Sequence, residues 1–284
     1  MRVLVMGATG TIGGEVVRQL VRDDVTVRAM TRRPGSAAFP PGVEVVRGDL
    51  TSVESLEPAL RDVDAAFIVW TAPPATVSEA IARVAASTRR MVFLSSPHRT
   101  PHPFFQQPNP MARLHASIEQ AIDDAEVPAT IIRPGMLASN AATWWSPQIR
   151  SGNEVRWPYA AAASAPIDPR DIAAVATRAL RDQSDVSFDY VLTGPEALTH
   201  VQQLGIIGNV LQRPLRFHEL SPNEFREFAS GQTPPAVIDM LLNAWSASVG
   251  IPPFMTSTVQ DVTGRPARPL HEWVADHSAV HFAS

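Results

Sequence analysis

The chain has 284 residues, 45% of them hydrophobic, and a formal net charge of −4, so it can bury one substantial core or one core plus a small lobe. It contains no cysteine, which excludes disulfides, thiolate catalysis and cysteine-bound metals. All 24 basic residues are arginines, and this excludes Schiff-base chemistry and any acid catalysis assisted by a lysine.

Charge and hydropathy also limit the partners. The acidic balance, without a basic block, argues against nucleic acid. No stretch approaches the roughly 20 uncharged apolar residues that cross a bilayer, and the first residues enter a strand-like run without the layout of a signal peptide. We expect a cytoplasmic monomer that binds neither membrane nor nucleic acid.

Apolar runs alternate with helical periodicity in the first half of the chain. Strands are predicted at residues 2–6, 25–30, 43–46, 65–70, 91–95 and 129–133. Helices are predicted after residue 11 and near 52–60, 76–87 and 110–125. This alternation indicates a parallel sheet covered on both faces, and such sheets bind ligands at the loops that follow the strands.

The alternation loosens past about residue 140. Residues 142–166 are predicted to form an aromatic loop, with a helix at 169–180, a strand at 188–195 and helices near 198–211, 222–229, 235–248 and 269–279. The expected architecture is α/β, a doubly wound parallel sheet with a small, mostly helical C-terminal lobe. We assign residues 1–140 and 165–195 to the sheet domain, and 141–164 and 196–284 to the lobe.

A glycine-rich turn follows the first strand. "GATGTIGG" spaces Gly7, Gly10 and Gly13 three apart and opens the first helix. Such glycines let backbone N–H groups approach a pyrophosphate at a helix N-terminus and let the helix pack closely on the strand. The alternative is a glycine-rich turn without a ligand. Cofactor contacts are expected from Gly7, Thr9, Gly10, Thr11, Ile12, Arg32, Arg33, Asp49, Leu50, Trp70, Thr71, Leu94, Ser95, Pro134, Gly135 and Met136.

The second strand is followed by two arginines. An NAD site usually offers an acidic residue to the ribose 2′-hydroxyl there, but this chain has Arg32 and Arg33. Guanidinium groups suit a 2′-phosphate, so we expect NADPH (NADP+) as the cofactor, unless both arginines are merely solvated. Asp49 follows the third strand, where it is either an acceptor for the adenine amino group or a helix cap.

The ordered set of motifs resembles the NmrA-like group of atypical short-chain dehydrogenases/reductases. The motifs are "GATGTIGG", "TRRP", "GDL", "FLSS", "SIEQAI", "IIRPGMLASN", "RDIAAVATRAL" and "VTGRPARPLHEWVADH", and they extend over nearly the whole chain. The resemblance implies a Rossmann domain with a small substrate lobe and a cleft between them. Members of this family either reduce quinones or ketones with NADPH or bind the nucleotide as a redox signal.

The resemblance also shows what this chain lacks. Catalytic short-chain reductases carry a Tyr-x-x-x-Lys pair after the fifth strand, but here Met111 takes the tyrosine position and His115 the lysine position. The isoflavone-reductase branch, which relies on a lysine, is disfavoured for the same reason. His115 lies at the edge of an apolar helix stripe, from which it could reach a ribose or a ketone. The alternative is a structural histidine paired with Glu119.

Serines end the fifth strand at the expected cleft. Ser95 or Ser96 could hydrogen-bond a substrate carbonyl or satisfy the local backbone, and Pro97 stands where many relatives have a third hydroxyl. We predict Ser95 and His115 as the catalytic residues. His98 and His102 lie in a proline-rich flap without a third ligand at metal spacing, so we expect no metal.

Aromatic residues concentrate beside the expected opening. We expect Trp70 and the aromatic residues of two later loops to line the substrate side of the cleft. They suit a large flat substrate, although about half of them could instead pack the lobe against the sheet. Tyr159 is the tyrosine that could replace the missing acid. The predicted substrate-binding residues are Ser96, Phe104, Phe105, Met111, Trp144, Trp145, Trp157 and Tyr159.

These observations together predict an NADPH-dependent ketoreductase. Without the tyrosine and the lysine, the chain looks similar to the angucyclinone ketoreductases, and this resemblance implies a polycyclic aromatic polyketide as substrate. A phenol beside its ketone would stand in for the missing tyrosine. One alternative is a nucleotide-binding redox sensor without catalysis. Another is an NADPH quinone reductase, which would differ in substrate only.

Overall fold

The computed structural model of the protein describes residues 1–36 and 38–283. Its strands are β1 (Arg2–Met6), β2 (Thr26–Thr31), β3 (Glu44–Arg47), β4 (Ala65–Ile68), β5 (Arg90–Leu94), β6 (Ala129–Pro134), β7 (Glu154–Pro158), β8 (Ala163–Ser164), β9 (Phe188–Leu192), β10 (Leu198–Thr199) and β11 (Arg216–Leu220). Seven of them form one parallel sheet in the order β3-β2-β1-β4-β5-β6-β9. Their carboxyl ends therefore share one edge.

The described part of the chain forms eleven α-helices. They are α1 (Thr11–Arg22), α2 (Glu57–Leu60), α3 (Val77–Ala85), α4 (Pro110–Asp124), α5 (Ser139–Ser151), α6 (Pro169–Leu180), α7 (His200–Leu211), α8 (Pro222–Ala229), α9 (Pro235–Ser248), α10 (Thr258–Thr263) and α11 (Leu270–His281). The first core joins α2, α3 and α4 to one face, and the second joins α1, α6 and α10 to the other. The Rossmann-type α/β fold is confirmed.

A third core lies at the C-terminal side. It is formed by side chains of α5, β7, α7, α8, α9 and α11, and it is rich in tryptophan. Two short sheets accompany it, β7 parallel to β11 and β8 antiparallel to β10. Capping boxes at Thr199–Gln202 and Ser221–Glu224 begin α7 and α8. The C-terminal region is mostly helical, as predicted.

The expected aromatic loop is wrong in its first part. Residues 139–151 form α5 despite Pro147, because the helix buries Ala142, Trp145 and Ile149 along one face, which outweighs the lost backbone hydrogen bond. The sequence reading also missed β7, β11 and α10. Among the described residues, no helix is both long and apolar enough to cross a bilayer.

Candidate functional site

The nucleotide loop, residues 7–13, is shaped by its glycines. Gly7 has a φ of +76°, and Gly10 N–H donates to its carbonyl at 3.0 Å. A Cβ at Gly13 would lie 2.2 Å from the Gly7 carbonyl oxygen, so only glycine allows α1 to start this close to β1. Gly10 caps α1 without a side-chain hydrogen bond, which leaves N–H groups of the first turn for an anion. This cradle fits a pyrophosphate, and Thr9 and Thr11 are exposed at its rim.

Positive charge lies at the ends of β2 and β3. Arg32 and Arg33 are exposed immediately after β2, and Gly48 N–H donates to the Thr31 carbonyl at 3.1 Å. Hydrogen bonds from the Thr51 backbone and hydroxyl hold the pKa of the Asp49 carboxyl below its usual value, and Arg32 adds to the effect. The Asp49 carboxylate thus caps its own turn. Its expected adenine contact stays a prediction.

Other predicted cofactor residues lie along the same edge. Leu94, Pro134, Gly135 and Met136 are partly buried there, and Thr71 is exposed. The side chains of Leu50 and Trp70 point elsewhere. Both are buried in the first core, and the Trp70 indole N–H donates to the Ala72 carbonyl at 2.7 Å. Placing Trp70 in the wall of the substrate cleft is therefore wrong.

The hydroxyl of Ser95 is committed to a buried carboxylate. Ser95 is 5% exposed and donates to Glu119 Oε1. Glu119, on α4, also receives both terminal nitrogens of Arg133 at 2.6 and 2.9 Å. A hydroxyl held in this way does not face the cleft, so Ser95 does not polarise a substrate carbonyl as predicted.

Ser96, rather than Ser95, is the serine that contacts His115. Its Oγ lies 2.8 Å from Nδ1 of His115 and 3.3 Å from Nδ1 of His98. The His98 Nδ1 also lies 3.1 Å from the Ser96 carbonyl oxygen, which can only accept, so this nitrogen carries the hydrogen. The Ser96 hydroxyl is then free to donate to His115 Nδ1. The alternative considered for His115, a pairing with Glu119, is not formed.

This hydrogen-bond order fixes the tautomer of His115. With Nδ1 accepting from Ser96, the ring is assigned its hydrogen on Nε2, and the one hydrogen bond of this ring within the described residues is that to Ser96. Burial, together with the neighbouring His98, lowers the pKa of His115 to about 4. His115 is therefore neutral at physiological pH and presents one N–H donor.

Sequence reasoning missed the buried ion pair beneath these groups. Arg133, 1% exposed at the end of β6, binds Glu119, Asp189 on β9 and the Ser96 carbonyl. Burial alone would raise the pKa of the Glu119 carboxyl, but hydrogen bonds from Arg133 and Ser95 hold that pKa below its usual value. We call Ser95, Ser96, His98, His115, Glu119 and Arg133 the serine–histidine corner.

A proline-rich segment closes over the end of β6. His102 Nε2 lies 3.0 Å from the Pro252 carbonyl, and Phe104 N–H donates to its Nδ1. A cavity of only about 10 Å³ remains between this segment and Gly135, Met136 and the loop at Phe254. Phe104 and Phe105 line it, 5.1 Å apart and edge to face. A cavity of this volume has no room for a substrate.

The structure divides the other predicted substrate residues. Trp145 and Trp157 are buried in the third core at 0% and 5% exposure, so they pack the lobe and do not face a substrate. Trp144 is partly buried and stacks on Trp157 at 5.6 Å. Tyr159, partly buried with a φ of +53°, contacts the same core. Met111 is 44% exposed at the start of α4.

Histidine, aspartate and glutamate do not assemble into a metal centre in the described part of the chain. Groups of three or more such residues at ligand distance are absent from residues 1–36 and 38–283.

Comparison with known proteins agrees with this geometry. Residues 7–183 match a family described as NAD(P)H-binding. A (4-alkanoyl-5-oxo-2,5-dihydrofuran-3-yl)methyl phosphate reductase of Streptomyces griseus is 38% identical over 283 residues, 97% of this chain and 98% of that protein. An NAD(P)H azoreductase of Xenophilus azovorans is 29% identical over 289 residues, 99% of this chain and 100% of that protein.

A solved structure adds a match in fold. The crystal structure of an NADPH-dependent quinone oxidoreductase from Escherichia coli aligns with a TM-score of 0.79 at 21% identity. The alignment covers 97% of this chain and 99% of that one. At this identity the likeness supports the shared architecture and leaves substrate and residue roles to the site itself.

Proposed function

We propose that this chain reduces a compound in which the carbonyl group is conjugated with a carbon–carbon double bond. This chain belongs to the NAD(P)H-binding family. The chain is an NAD(P)H-dependent reductase of the NmrA-like type, so the alternative of a sensor without catalysis is not retained. Our proposal concerns the acceptor. It is an enone, an unsaturated lactone or a quinone, in preference to an isolated ketone.

The neutral state of His115 carries the proposal. Ser95 is bound to Glu119, and the chain has no lysine and no tyrosine at the usual position. The His115 Nε2–H is then the donor available at this corner, and a neutral imidazole is a weak acid. An isolated ketone would become an alkoxide, which needs a stronger acid. A conjugated acceptor becomes a delocalised enolate, which a weak donor can stabilise.

The residues after β1 and after β2 fit NADPH, and each group would bind a different part of the cofactor. Gly7, Gly10 and the α1 N-terminus would hold the pyrophosphate, and Arg32 with Arg33 would bind the 2′-phosphate of NADPH. Bound NADPH supplies a hydride. His115 would donate from Nε2 to the substrate oxygen as negative charge develops there. The α-carbon of the enolate then takes its proton from water.

The names of relatives support a conjugated acceptor. The substrate named for the Streptomyces griseus reductase has a ring alkene flanked by a lactone carbonyl and an alkanoyl group, and the second relative acts on an azo bond. In each case the electron pair that arrives with the hydride is delocalised onto neighbouring oxygen or nitrogen atoms. Such acceptors place the smallest demand on a proton donor from the protein.

A polycyclic ketone with a neighbouring phenol is the second candidate. Phe104 and Phe105 line the small cavity beside Gly135 and Met136, and they favour a flat apolar acceptor. Its phenol would stabilise the alkoxide internally, as expected for an angucyclinone-type polyketide. His102, the one titratable residue lining this cavity in the described chain, has both ring nitrogens engaged.

A matched pair of substrates tests the proposal. NADPH oxidation would be followed with an unsaturated lactone or enone and with its saturated counterpart. We expect kcat/KM to be about a hundredfold higher for the conjugated compound, since a general acid typically contributes about a hundredfold or more and the saturated compound would lack that assistance here. If the saturated counterpart is reduced as fast as the conjugated compound, the proposal is wrong. Reduction restricted to phenolic ketones would favour the second candidate.

A further inference from the structure

A second cavity lies at the far end of α1 from the nucleotide loop. It is bounded by α1, α6 and the segment from α10 into α11, and its volume is about 870 Å³. Arg22 on its wall follows Thr11 by eleven residues of α1, a separation of about 16 Å along the helix axis. The cavity is therefore separate from the cradle expected to hold the pyrophosphate.

Arginines dominate the charge of this cavity. It is lined by Arg22, Arg178, Arg181, Arg265 and Arg268. The acidic lining residues are Asp23, Asp171 and Glu272. Positive groups thus outnumber negative ones in a chain whose overall charge is −4. We call this space the arginine cavity.

Some of these charges are already paired and others are available. Arg181 binds Asp23 at 2.5 Å, and Arg268 binds the buried Asp171. Arg178 and Arg265, by contrast, make no side-chain hydrogen bond and no ion pair within 4.0 Å in residues 1–36 and 38–283, although the charge of Arg178 acts on Asp182. Because guanidinium groups bind phosphate oxygens through two parallel hydrogen bonds, the unpaired arginines suit a phosphate group.

A buried hydroxyl gives an independent indication of a ligand. Thr177, on α6, is 5% exposed and lines the arginine cavity. Its Oγ1 has no hydrogen-bond partner in the described chain. An unpartnered buried hydroxyl costs about 1–3 kcal/mol, and this cost is removed if a ligand oxygen supplies the partner.

We propose that the arginine cavity binds a phosphorylated small molecule of nucleotide size. Ligand pockets of roughly 300–1,000 Å³ hold compounds of this size, and the cavity falls within that range. Arg178 and Arg265 would bind its phosphates, and the Thr177 hydroxyl would hydrogen-bond one of its oxygens. The site is independent of the hydride-transfer chemistry proposed above.

Calorimetry on the protein saturated with NADP+ tests this site, because saturation blocks the nucleotide loop. The titrants are adenosine triphosphate, pyrophosphate and inorganic phosphate. The variants are the double substitution Arg178→Gln with Arg265→Gln, the isosteric Thr177→Val, and Arg216→Gln as a control on exposed β11. NADP+ binding by each variant reports that it is folded.

We expect one site for adenosine triphosphate, with a Kd about tenfold or more higher in the double variant and unchanged in Arg216→Gln. Thr177→Val should weaken binding to a smaller extent. Absence of binding to the NADP+-saturated protein overturns the proposal, as does binding that the double variant retains. Inorganic phosphate binding as tightly as adenosine triphosphate would indicate an adventitious ion only.

Discussion

The nucleotide loop and the serine–histidine corner are assembled in opposite ways. The loop is one continuous segment, residues 7–13, whose function depends on backbone and on glycines that exclude side chains. The corner gathers residues from the loop after β5, from α4 and from β6, and each depends on its partners through buried hydrogen bonds. Binding a common cofactor is thus a local property of the chain, whereas delivery of a proton is a property of the packed fold.

The largest effect is expected in the loop. A Cβ at Gly13 would meet the Gly7 carbonyl oxygen at 2.2 Å, so Gly13→Ala should abolish NADPH binding by forcing α1 away from β1. Gly205→Ala is the control, because a Cβ there meets nothing within 4 Å. Calorimetric titration with NADPH measures both variants. Normal affinity in Gly13→Ala would show that the loop is not the pyrophosphate cradle.

The second largest effect is expected in the serine–histidine corner, as a loss of unfolding free energy. Glu119→Gln removes the charge that Arg133 binds at 2.6 Å, and breaking a buried pair on one side costs about 3–5 kcal/mol. Urea unfolding measures this loss, with the exposed Glu126→Gln as the control. A change of unfolding free energy no larger than that of the control would mean that the ion pair does not support the corner.

His115 should affect turnover more than stability. His115→Phe removes the Nε2–H donor, and loss of one donor to developing charge lowers kcat by about a hundredfold. Ser95→Ala should leave kcat near that of the unchanged protein, because its hydroxyl donates to Glu119. Steady-state kinetics separates kcat from KM for both. The reverse ranking would return the catalytic role to Ser95.

A smaller change is expected in cofactor choice. Arg32→Gln removes a charge that would bind the 2′-phosphate, so kcat/KM for NADPH should fall about tenfold while that for NADH stays constant. Arg61→Gln, exposed beyond α2, is a suitable control. If kcat/KM falls equally for NADPH and NADH, Arg32 does not bind the 2′-phosphate.

The smallest effect concerns pH. The pKa of His115 is lowered to about 4 by burial, so its imidazolium forms only on acidification toward that value. Turnover should therefore stay flat between about pH 6 and pH 8, where an ordinary histidine would titrate. The pH profile of kcat measures this, compared with the profile of His115→Phe. A step near pH 6.5 that His115→Phe abolishes would show that the imidazole is solvated.

Sequence reasoning succeeded where the signal is local. The glycine spacing, the alternation of strands and helices and the two arginines after β2 each occupy a short segment, and the fold they predict is present. It failed at α5, because burial of Trp145 and Ile149 against distant helices overrides the loop-forming residues around Pro147. Ser95 and Ser96 are adjacent in sequence, and only contacts to α4 distinguish them.

The partners of the corner could not be found from sequence for the same reason. Arg133 and Glu119 are separated by 14 residues, and Asp189 lies 56 residues beyond Arg133. No periodicity joins them, although a charged pair inside apolar segments of α4 and β6 is a signal that could have been noted. The prediction that Trp145 and Trp157 line the cleft is wrong, because tryptophan packs in hydrophobic cores as well as in binding clefts.

Reduction with NADPH deuterated at the transferred position tests the central claim most directly. The substrate is an unsaturated ketone, and the position of deuterium in the product is read by nuclear magnetic resonance. Because the corner offers only a weak donor, the account predicts deuterium on the β-carbon and a saturated ketone as product. Deuterium on the carbonyl carbon, with the alkene intact, would contradict it.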